Sequence, residues 1–281
     1  MIDGRGWGSR ILRIYLPVMG FLVLMLFPFY WMLIASIKPN RELYNAKIMP
    51  LIVYQPTLKH YYDLFADTNF LLWTYNTMLV AVITTAVSLV LGAMIAYPLA
   101  RMNFPGAAIV AIGVAATYLV PQPLLFIPMA VIINKLELGN TLSAVMLTYP
   151  TLLIPFCAWL LMGYFKSVPR ELEEAARIDG ASRFQAMWRV VLPLTTPGLL
   201  SAGIFAFTLA QNEFLYALIF LAKSEVRTVP VGVITELIRG DVFYWGQLMA
   251  AALLGSIPVA VIYSFFVDYY VAGLTAGSVK S

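Results

Sequence analysis

Six long apolar blocks divide this sequence, and they restrict its possible folds more than any other feature. A helix needs about 20 consecutive apolar residues to cross the hydrocarbon core of a bilayer, and each block reaches that length. Helices keep their backbone hydrogen bonds internal, as hydrocarbon requires of a spanning segment. We therefore predict an all-α integral membrane protein, a bundle of six spans at residues 11–37, 74–100, 107–133, 142–164, 196–222 and 247–271.

The overall composition excludes several other classes of protein. The chain is 61% hydrophobic and 11% charged, whereas soluble domains are roughly 45–50% apolar and about 25% charged. The net charge of +4 comes from basic residues that do not cluster, so we expect no nucleic-acid partner. Cys157 is the only cysteine and lies inside the fourth span. It can form neither an intrachain disulfide nor a cysteine cluster for a metal, and no metal site is expected.

Six spans place both termini on the same side of the membrane. If that side is the cytoplasm, it carries ten basic residues against eight on the other side, a weak form of the positive-inside pattern. We therefore predict cytoplasmic termini, with the first block retained as a helix because it is too long for a cleavable signal. No linker or internal repeat is evident, so residues 1–281 are predicted to form a single domain.

The longest polar segment on the side of the termini, residues 166–194, reads as two short helices at an angle. Pro169 suits the first turn of a helix, and Gly180 is placed to end that helix in a left-handed conformation. Ser182 and Gln185 have the spacing of a capping box, which predicts a second helix. The predicted result is a firm corner and not a flexible connection.

The second of these helices carries an apolar stripe formed by Phe184, Met187, Trp188 and Val191. By periodicity alone, the stripe fits a helix that lies in the lipid headgroups as well as it fits one that contacts another protein. The outer segments, 38–73 and 223–246, hold many aromatic residues. An interfacial aromatic belt and contact with an external partner both explain them.

Specific residues of the polar segment resemble a known family. Glu174-Ala-Ala176, Gly180 four residues later and the run Val190-Val-Leu-Pro193 resemble the signature loop of the membrane subunits of binding-protein-dependent ABC importers. The resemblance extends over the chain. The runs 178–182, 192–198 and 273–280, together with Asn76-Thr77 and Asn212-Glu-Phe214, are similar to the smaller permease subunit of the maltose type. Members of that group usually have tryptophan where this chain has Gln211.

The resemblance implies a role for the polar segment and a set of partners. The loop would hold coupling helices that seat in ATP-hydrolysing subunits, and its coupling residues would be Glu174, Ala175, Ala176, Asp179, Gly180, Leu192 and Pro193. The C-terminal tail, through Gly277 and Lys280, would also reach those subunits, although its residues alone indicate only a short polar end. The implied complex holds a second homologous permease, two ATP-binding cassette subunits and an external sugar-binding protein, in the cytoplasmic membrane of a bacterium or archaeon.

Polar residues within the spans are the candidates for a substrate pathway, because such residues are costly in a membrane and usually face a cavity or a partner. They are Gln122 between two prolines of the third span, and Asn212, Glu213 and Tyr216 of the fifth. The alternative is that they bond to the sister permease and hold the bundle together. For Gln122, a kink that only serves packing is also possible.

The resemblance predicts a permease that carries a di- or oligosaccharide. Few charges lie within the spans, which suits a neutral substrate better than a polyamine or phosphonate, the alternative cargo. An enzyme is not expected, since His60 is the only histidine and no GxxxxGK[ST] loop occurs. ATP and magnesium would therefore be bound by partner subunits, and this chain would have no cofactor. A purely structural or receptor subunit remains a third possibility.

Overall fold

The computed structural model describes the backbone of residues 11–276 and the side chains of residues 13–267. Within that range the chain is mostly helical and has one small two-stranded sheet. It divides into two compact units, one of residues 11–70 with 233–257 and the other of residues 71–232 with 258–276. The single domain over residues 1–281 stays a prediction.

The first unit begins with a π-helical turn, Ile11–Tyr15, that continues into a long apolar helix. Most side chains of this helix are exposed, as expected of a span that faces lipid or a partner. The elements that lie in this unit are α1 (Leu16–Ile37), α2 (Asn40–Leu43), α3 (Lys59–Asp67), β1 (Ile238–Arg239) and β2 (Val242–Phe243). The strands form an antiparallel hairpin that turns at Gly240, which has φ +59°.

Buried polar side chains hold the segment after α1, residues 38–60, through hydrogen bonds to its backbone. The Lys38 ammonium donates to the carbonyl of Pro50 at 2.5 Å, and the Glu42 carboxylate accepts the amide of Gln55 at 2.9 Å. His60 is buried, with Nε2 2.7 Å from the Lys38 carbonyl and its ring against Gly246. The buried position and the backbone hydrogen bond of His60, the only histidine, are those of a structural residue.

The second unit contains the remaining helices. They are α4 (Phe70–Arg101), α5 (Ala107–Tyr118), α6 (Gln122–Lys135), α7 (Leu142–Thr148), α8 (Pro150–Ser167), α9 (Arg170–Ile178), α10 (Arg183–Ala186), a π-helical segment (Met187–Val191), α11 (Leu192–Leu194), α12 (Thr196–Gln211), α13 (Leu215–Phe220) and a 3₁₀ turn (Ser224–Val226). α14 (Val229–Leu237) and α15 (Trp245–Ala276) have residues in both units, and the first residue of α4, Phe70, belongs to the first unit. Helix α8 packs against α5 and α12.

Among the described residues, four helical segments are long and apolar enough to cross a membrane alone, and the number is six if each of two bent pairs counts as one span. The predicted third span is one such pair, since α5 and α6 meet at 93°. The chain leaves the helix before Pro121, because a proline disfavours helical geometry in the residue that precedes it. The sequence had indicated only a kink there.

The predicted continuous fifth span, 196–222, is also broken. Helix α12 ends at Gln211 and α13 begins at Leu215. Helix α12 alone is too short to span, and the second bent pair joins it, at 80°, to residues 183–194. Because that preceding segment carries Arg183 and Arg189, we assign the fifth span to α12 and α13.

Close helix packing in this unit depends on small residues. A side chain at Gly198 of α12 would overlap the ring of Tyr164 in α8, and a Cβ at Gly92 of α4 would lie 2.7 Å from the Cβ of Cys157. Cys157 itself is completely buried, as the small apolar residue that the sequence indicated. Two apolar clusters fill the unit, one around Tyr149 and Phe207, and the other around Tyr97 and Phe165.

Candidate functional site

The first helix of the polar loop, α9, has well-defined ends. Pro169 is its N-cap residue, with φ −55° and ψ 134°, and Glu171 and Glu173 lie in the first turn, where carboxylates complement the helix dipole. At the other end the amide of Gly180 bonds to the carbonyl of Arg177, and the amide of Ala181 bonds to that of Ala176. These two bonds form a Schellman motif, which requires the positive φ of Gly180, here +92°.

The second helix begins at the predicted capping box. The hydroxyl of Ser182 accepts the amide of Gln185 at 3.2 Å, and the Gln185 side chain accepts the amide of Ser182 at 2.8 Å. The loop is therefore a corner between two capped helices, as predicted. After Ala186 the chain continues as a π-helix rather than an α-helix.

The prediction that the apolar stripe forms a single face of the second helix is wrong. Met187 and Val191 are buried in the apolar cluster around Tyr97, whereas Phe184 and Trp188 are exposed and pack edge to face with their centroids 6.0 Å apart. The π-helical turn at Met187–Val191 accommodates an extra residue relative to an α-helix, so the periodicity of 3.6 used for the prediction does not apply there. One pair anchors the helix, and the other is presented outward.

The residues predicted to couple to an ATPase fall into two groups. Glu174, Ala175, Asp179, Gly180 and Pro193 are exposed, and Ala176 is half-buried. Leu192 differs, because its side chain packs in the apolar cluster and is 8% exposed. Any contribution of Leu192 to coupling would therefore act through packing. The tail residues Gly277 and Lys280 lie outside the described residues.

A buried ion pair beneath the loop was missed by the sequence reasoning. Arg101, the last residue of α4, donates Nε to Oε2 of Glu173 at 2.8 Å, and the Tyr97 hydroxyl donates to Oε1 of the same carboxylate at 2.5 Å. The Arg101 and Glu173 side chains are 2% and 12% exposed. The sequence gives no signal for this pair, because the two residues are far apart in the chain and Glu173 is one of three glutamates in four positions.

Three of the four predicted pathway residues of the third and fifth spans lie around one cavity. Gln122 lies at the start of α6, just after the break in the third span, and its Nε2 donates to Oε1 of Glu213 at 2.6 Å. Both residues, together with Asn212, line a cavity of about 600 Å³. The other residues that line it include hydroxyl and aromatic side chains, namely Thr117, Tyr118, Tyr149, Thr151, Thr208 and Phe214.

Glu213 also organises the break in the fifth span. Its carboxylate accepts the amide of Tyr216 at 2.9 Å and that of Ala217 at 3.2 Å. These are amides of the first turn of α13, which have no partner inside the helix. A carboxylate at this position satisfies them and is favoured by the helix dipole. Glu213 therefore links α13 to α6 within this chain.

Tyr216 does not line the cavity, contrary to the prediction. Its side chain is completely buried in the apolar cluster around Tyr149 and Phe207. Glu213 accepts the Tyr216 backbone amide, so the two residues are close, but the side chains separate because α13 begins between them. Gln211, at the position where the resembling family has tryptophan, is likewise buried.

Residues near the N-terminal end of α4 hold the segment that follows α13. Asn76 donates Nδ2 to the carbonyls of Glu225 and Arg227, and the Thr77 hydroxyl accepts the amide of Val229 at 2.8 Å. The pair Asn76-Thr77, noted above only for its resemblance, thus fixes residues 225–229 to α4. Further along that segment, Phe243 and Trp245 stack at 5.4 Å between ring centroids and are partly exposed.

Comparison with known proteins relates this arrangement to transport. Residues 88–275 match the family described as binding-protein-dependent transport system inner membrane component. The chain is 38% identical to the sulfoquinovosyl glycerol transport system permease protein SmoH of Agrobacterium fabrum, over 91% of this chain and 89% of that protein. It is 34% identical to the trehalose/maltose transport system permease protein MalG of Thermococcus litoralis, over 92% of each chain.

Solved structures share the fold. One chain of a bacterial ABC transporter involved in the import of the acidic polysaccharide alginate matches with a TM-score of 0.78, at 20% identity, over 95% of this chain and 99% of that one. A second match, from the alginate ABC transporter in complex with an alginate pentasaccharide-bound periplasmic protein, has a TM-score of 0.66 at 16% identity, over 92% of this chain and 93% of that one.

Proposed function

Because this chain belongs to the family of binding-protein-dependent transport system inner membrane components, we propose that it is the permease subunit of an ATP-driven importer that carries an oligosaccharide across the cytoplasmic membrane. It is a multi-pass inner-membrane protein. The observation that carries the proposal is the polar loop of residues 166–194, a corner between two capped helices whose outer face is exposed.

The outer face of this loop has the chemistry of a protein interface. Ile178 is 86% exposed and Trp188 is 48% exposed, and apolar and aromatic residues of this kind are enriched where proteins bind one another. Glu174 is exposed beside the small Ala175, so a basic group of a partner has access to its carboxylate. Glu174 and Asp179 are exposed charges on the adjoining helix α9 and at its end, which supports docking of ATPase subunits on this loop over burial of its outer face in lipid.

The cavity between the third and fifth spans supports a polar, uncharged cargo. Its volume of about 600 Å³ lies within the range of about 300–1,000 Å³ that is typical of small-molecule sites. The lining offers amides and hydroxyls that donate and accept hydrogen bonds, and aromatic faces. Glu213, the one carboxylate among its lining residues, already accepts hydrogen bonds from Gln122 and two backbone amides. We propose that Gln122 and Asn212 contact the sugar and that Glu213 positions Gln122.

The comparisons favour a sugar over a polyamine or phosphonate. The relatives are named for transport of sulfoquinovosyl glycerol, of trehalose and maltose, and of diacetylchitobiose, and all are permease proteins or parts of uptake systems. We propose that this chain is likewise a transport subunit with no ATPase site of its own. ATP and magnesium would be bound by the partner subunits.

The remaining parts of the assembly follow from the same proposal. A second homologous permease, two ATP-binding cassette subunits and an external sugar-binding protein would complete the importer. The termini and the loop of residues 166–194 would face the cytoplasm, and the tail residues Gly277 and Lys280 would reach the ATPases. The outer segment of residues 226–246, with its exposed Phe243 and Trp245, is the surface that we propose for the binding protein.

The experiment that tests the function is the ATPase activity of the reconstituted complex, with its binding protein, against a panel of sugars and charged solutes. We expect stimulation by at least one oligosaccharide. Stimulation by a polyamine or a phosphonate alone would refute the sugar assignment.

Docking is tested by Glu174→Lys, with Glu171→Lys as the matched control. Both residues are exposed carboxylates of α9, and only Glu174 belongs to the signature. Loss of one partner of a desolvated charge pair at an interface costs about 2–5 kcal/mol, so we expect Glu174→Lys to release the ATPases on purification while Glu171→Lys retains them. Equal retention in both variants would count against docking at Glu174.

A further inference from the structure

Arg101 makes more hydrogen bonds than its ion pair with Glu173 alone. Its Nη1 donates to the carbonyl oxygens of Val168 at 2.7 Å and Phe165 at 3.3 Å, and its Nη2 donates to the carbonyl of Pro169 at 3.4 Å. All of these acceptors lie in the short stretch that joins the end of α8 to the start of α9. A single side chain of the second span therefore holds the junction between the fourth span and the loop.

The chemistry of this junction explains why an arginine is suited to it. The last carbonyls of a helix have no amide partner within the helix, and a cation near a helix C-terminus is favoured by the dipole. The guanidinium presents five donors in a planar fork, which lets it reach several carbonyls and a carboxylate together. Because its side chain is only 2% exposed, the charge needs a counter-ion, and Glu173 supplies it.

Tyr97 extends the same network to the second helix of the loop. Its hydroxyl, which donates to Glu173, also lies 3.1 Å from the carbonyl oxygen of Arg183 at the start of α10. Beneath it, the ring of Tyr97 packs edge to face on Phe165, in the cluster that also contains Met187. Both helices of the loop are thus attached to the second and fourth spans through one buried group.

The first loop helix has two faces with different roles. Successive residues of an α-helix are about 100° apart around its axis, since there are 3.6 residues per turn. Glu173 points inward to Arg101, whereas its neighbour Glu174 is exposed. A partner that moves the outer face of α9 therefore acts on a helix whose inner face is bound to the second span.

We propose that Arg101, with Glu173 and Tyr97, is a positioning residue of transport, which fixes the loop to the second and fourth spans so that they move as one body when the ATPases move. The proposal rests on the proposed function, because it assumes that ATPases dock on the loop. Without Arg101, the junction at residues 168–169 becomes a hinge. The loop then follows the ATPases without moving the spans.

The first test measures the rigidity of the loop and needs no sugar. Cys157 is the only cysteine and is buried, so in a Cys157→Ser background spin labels can be placed at Asn103 and Glu171, both exposed. The distance distribution between them is measured by pulsed electron resonance in the complex with its ATPases. We expect Arg101→Met to broaden this distribution and Arg41→Met, at an exposed arginine of the first unit, to leave it unchanged.

The second test measures sugar imported per ATP hydrolysed in proteoliposomes, with a sugar that stimulates the unmodified complex. Substitutions along a coupling network change the coupling by roughly 2- to 30-fold, and we expect a loss in this range for Arg101→Met with the ATPases still bound. Tyr97→Phe removes only the hydroxyl and should give a smaller loss in the same direction. It keeps the proposal testable should Arg101→Met fail to assemble.

Two results would overturn the proposal. One is an unchanged distance distribution together with unchanged import per ATP in both Arg101→Met and Tyr97→Phe. The other is full recovery in the exchanged variant, Arg101→Glu with Glu173→Arg, because a carboxylate at position 101 cannot donate to the carbonyls of residues 165, 168 and 169. Recovery would show that only the ion pair matters. If no sugar stimulates even the unmodified complex, the proposed function fails, while the label distances still decide the role of Arg101.

Discussion

Replacement of Glu213 by alanine tests how the break in the fifth span is held together. The carboxylate accepts three hydrogen bonds, one from the Gln122 amide at 2.6 Å and two from the backbone amides of Tyr216 and Ala217 at 2.9 and 3.2 Å. A hydrogen bond to a charged group contributes about 1.5–3 kcal/mol, and a buried donor left without an acceptor costs about 1–3 kcal/mol. Glu213 is 8% exposed, so water replaces these bonds poorly.

These values set the expected size of the effect. Because the three bonds share one side chain and are not additive, we expect Glu213→Ala to lower the free energy of unfolding by about 3 kcal/mol. For chains of about this length, each kcal/mol shifts the unfolding midpoint by about 2–4 °C, so the expected loss is about 6–12 °C. Glu213→Gln keeps an acceptor oxygen but places an amide donor beside another donor. Its unfolding midpoint should therefore lie between that of Glu213→Ala and that of the unmodified protein.

The chain itself provides the assay. Cys157 is the single cysteine and is completely buried, so a dye that fluoresces on reaction with a thiol reports unfolding of the detergent-solubilised protein during heating. Glu171→Ala removes an exposed carboxylate and serves as the control, with an expected change of no more than about 0.5 kcal/mol. A midpoint for Glu213→Ala equal to that of the control would refute the role given to this carboxylate.

Three further substitutions test other parts of the structure. Gly198→Ala places a methyl group in the ring of Tyr164 and should lower the unfolding midpoint by an amount equivalent to about 1–3 kcal/mol in the same dye assay. Ser182→Ala removes the N-cap of the second loop helix and should cost about 0.5–2 kcal/mol, seen as faster amide hydrogen exchange at residues 183–186. Gly180→Ala has room for its methyl group but not the φ of +92°, which costs about 1–2 kcal/mol, and should weaken co-purification of the ATPases. If any of the three variants gave the same measurement as the unmodified protein, the contact, cap or turn that it tests would be contradicted.

The apolar blocks and the loop were predicted from local features. A run of apolar residues long enough to span a bilayer identifies a membrane helix wherever it packs, and caps such as Ser182 with Gln185 depend only on residues a few positions apart. The turn at Gly180 belongs to the same class, because a Schellman motif needs a residue that tolerates positive φ. The caps and the turn are therefore found in the structure where the sequence places them, whereas two of the six predicted spans are broken.

The side-chain contacts within the site could not be predicted from such local features. The sequence pointed to Gln122 and Glu213 separately, as polar groups within spans, but not to the 2.6 Å bond between them. Tyr216 was placed on the wrong surface, since the position at which α13 begins decides which way its side chain points. The π-helical turn after Ala186 also separated Met187 from Trp188, against the expected period.

The sequence by itself determined that this chain is a helical membrane protein with a capped two-helix loop, because length, polarity and capping act between residues that are near one another in the chain. Only the tertiary structure decided which polar groups meet. Arg101 and Glu173 are separated by 72 positions, and Gln122 and Glu213 by 91. Such pairs form where helix packing brings ends and breaks together, and one sequence carries no record of that packing.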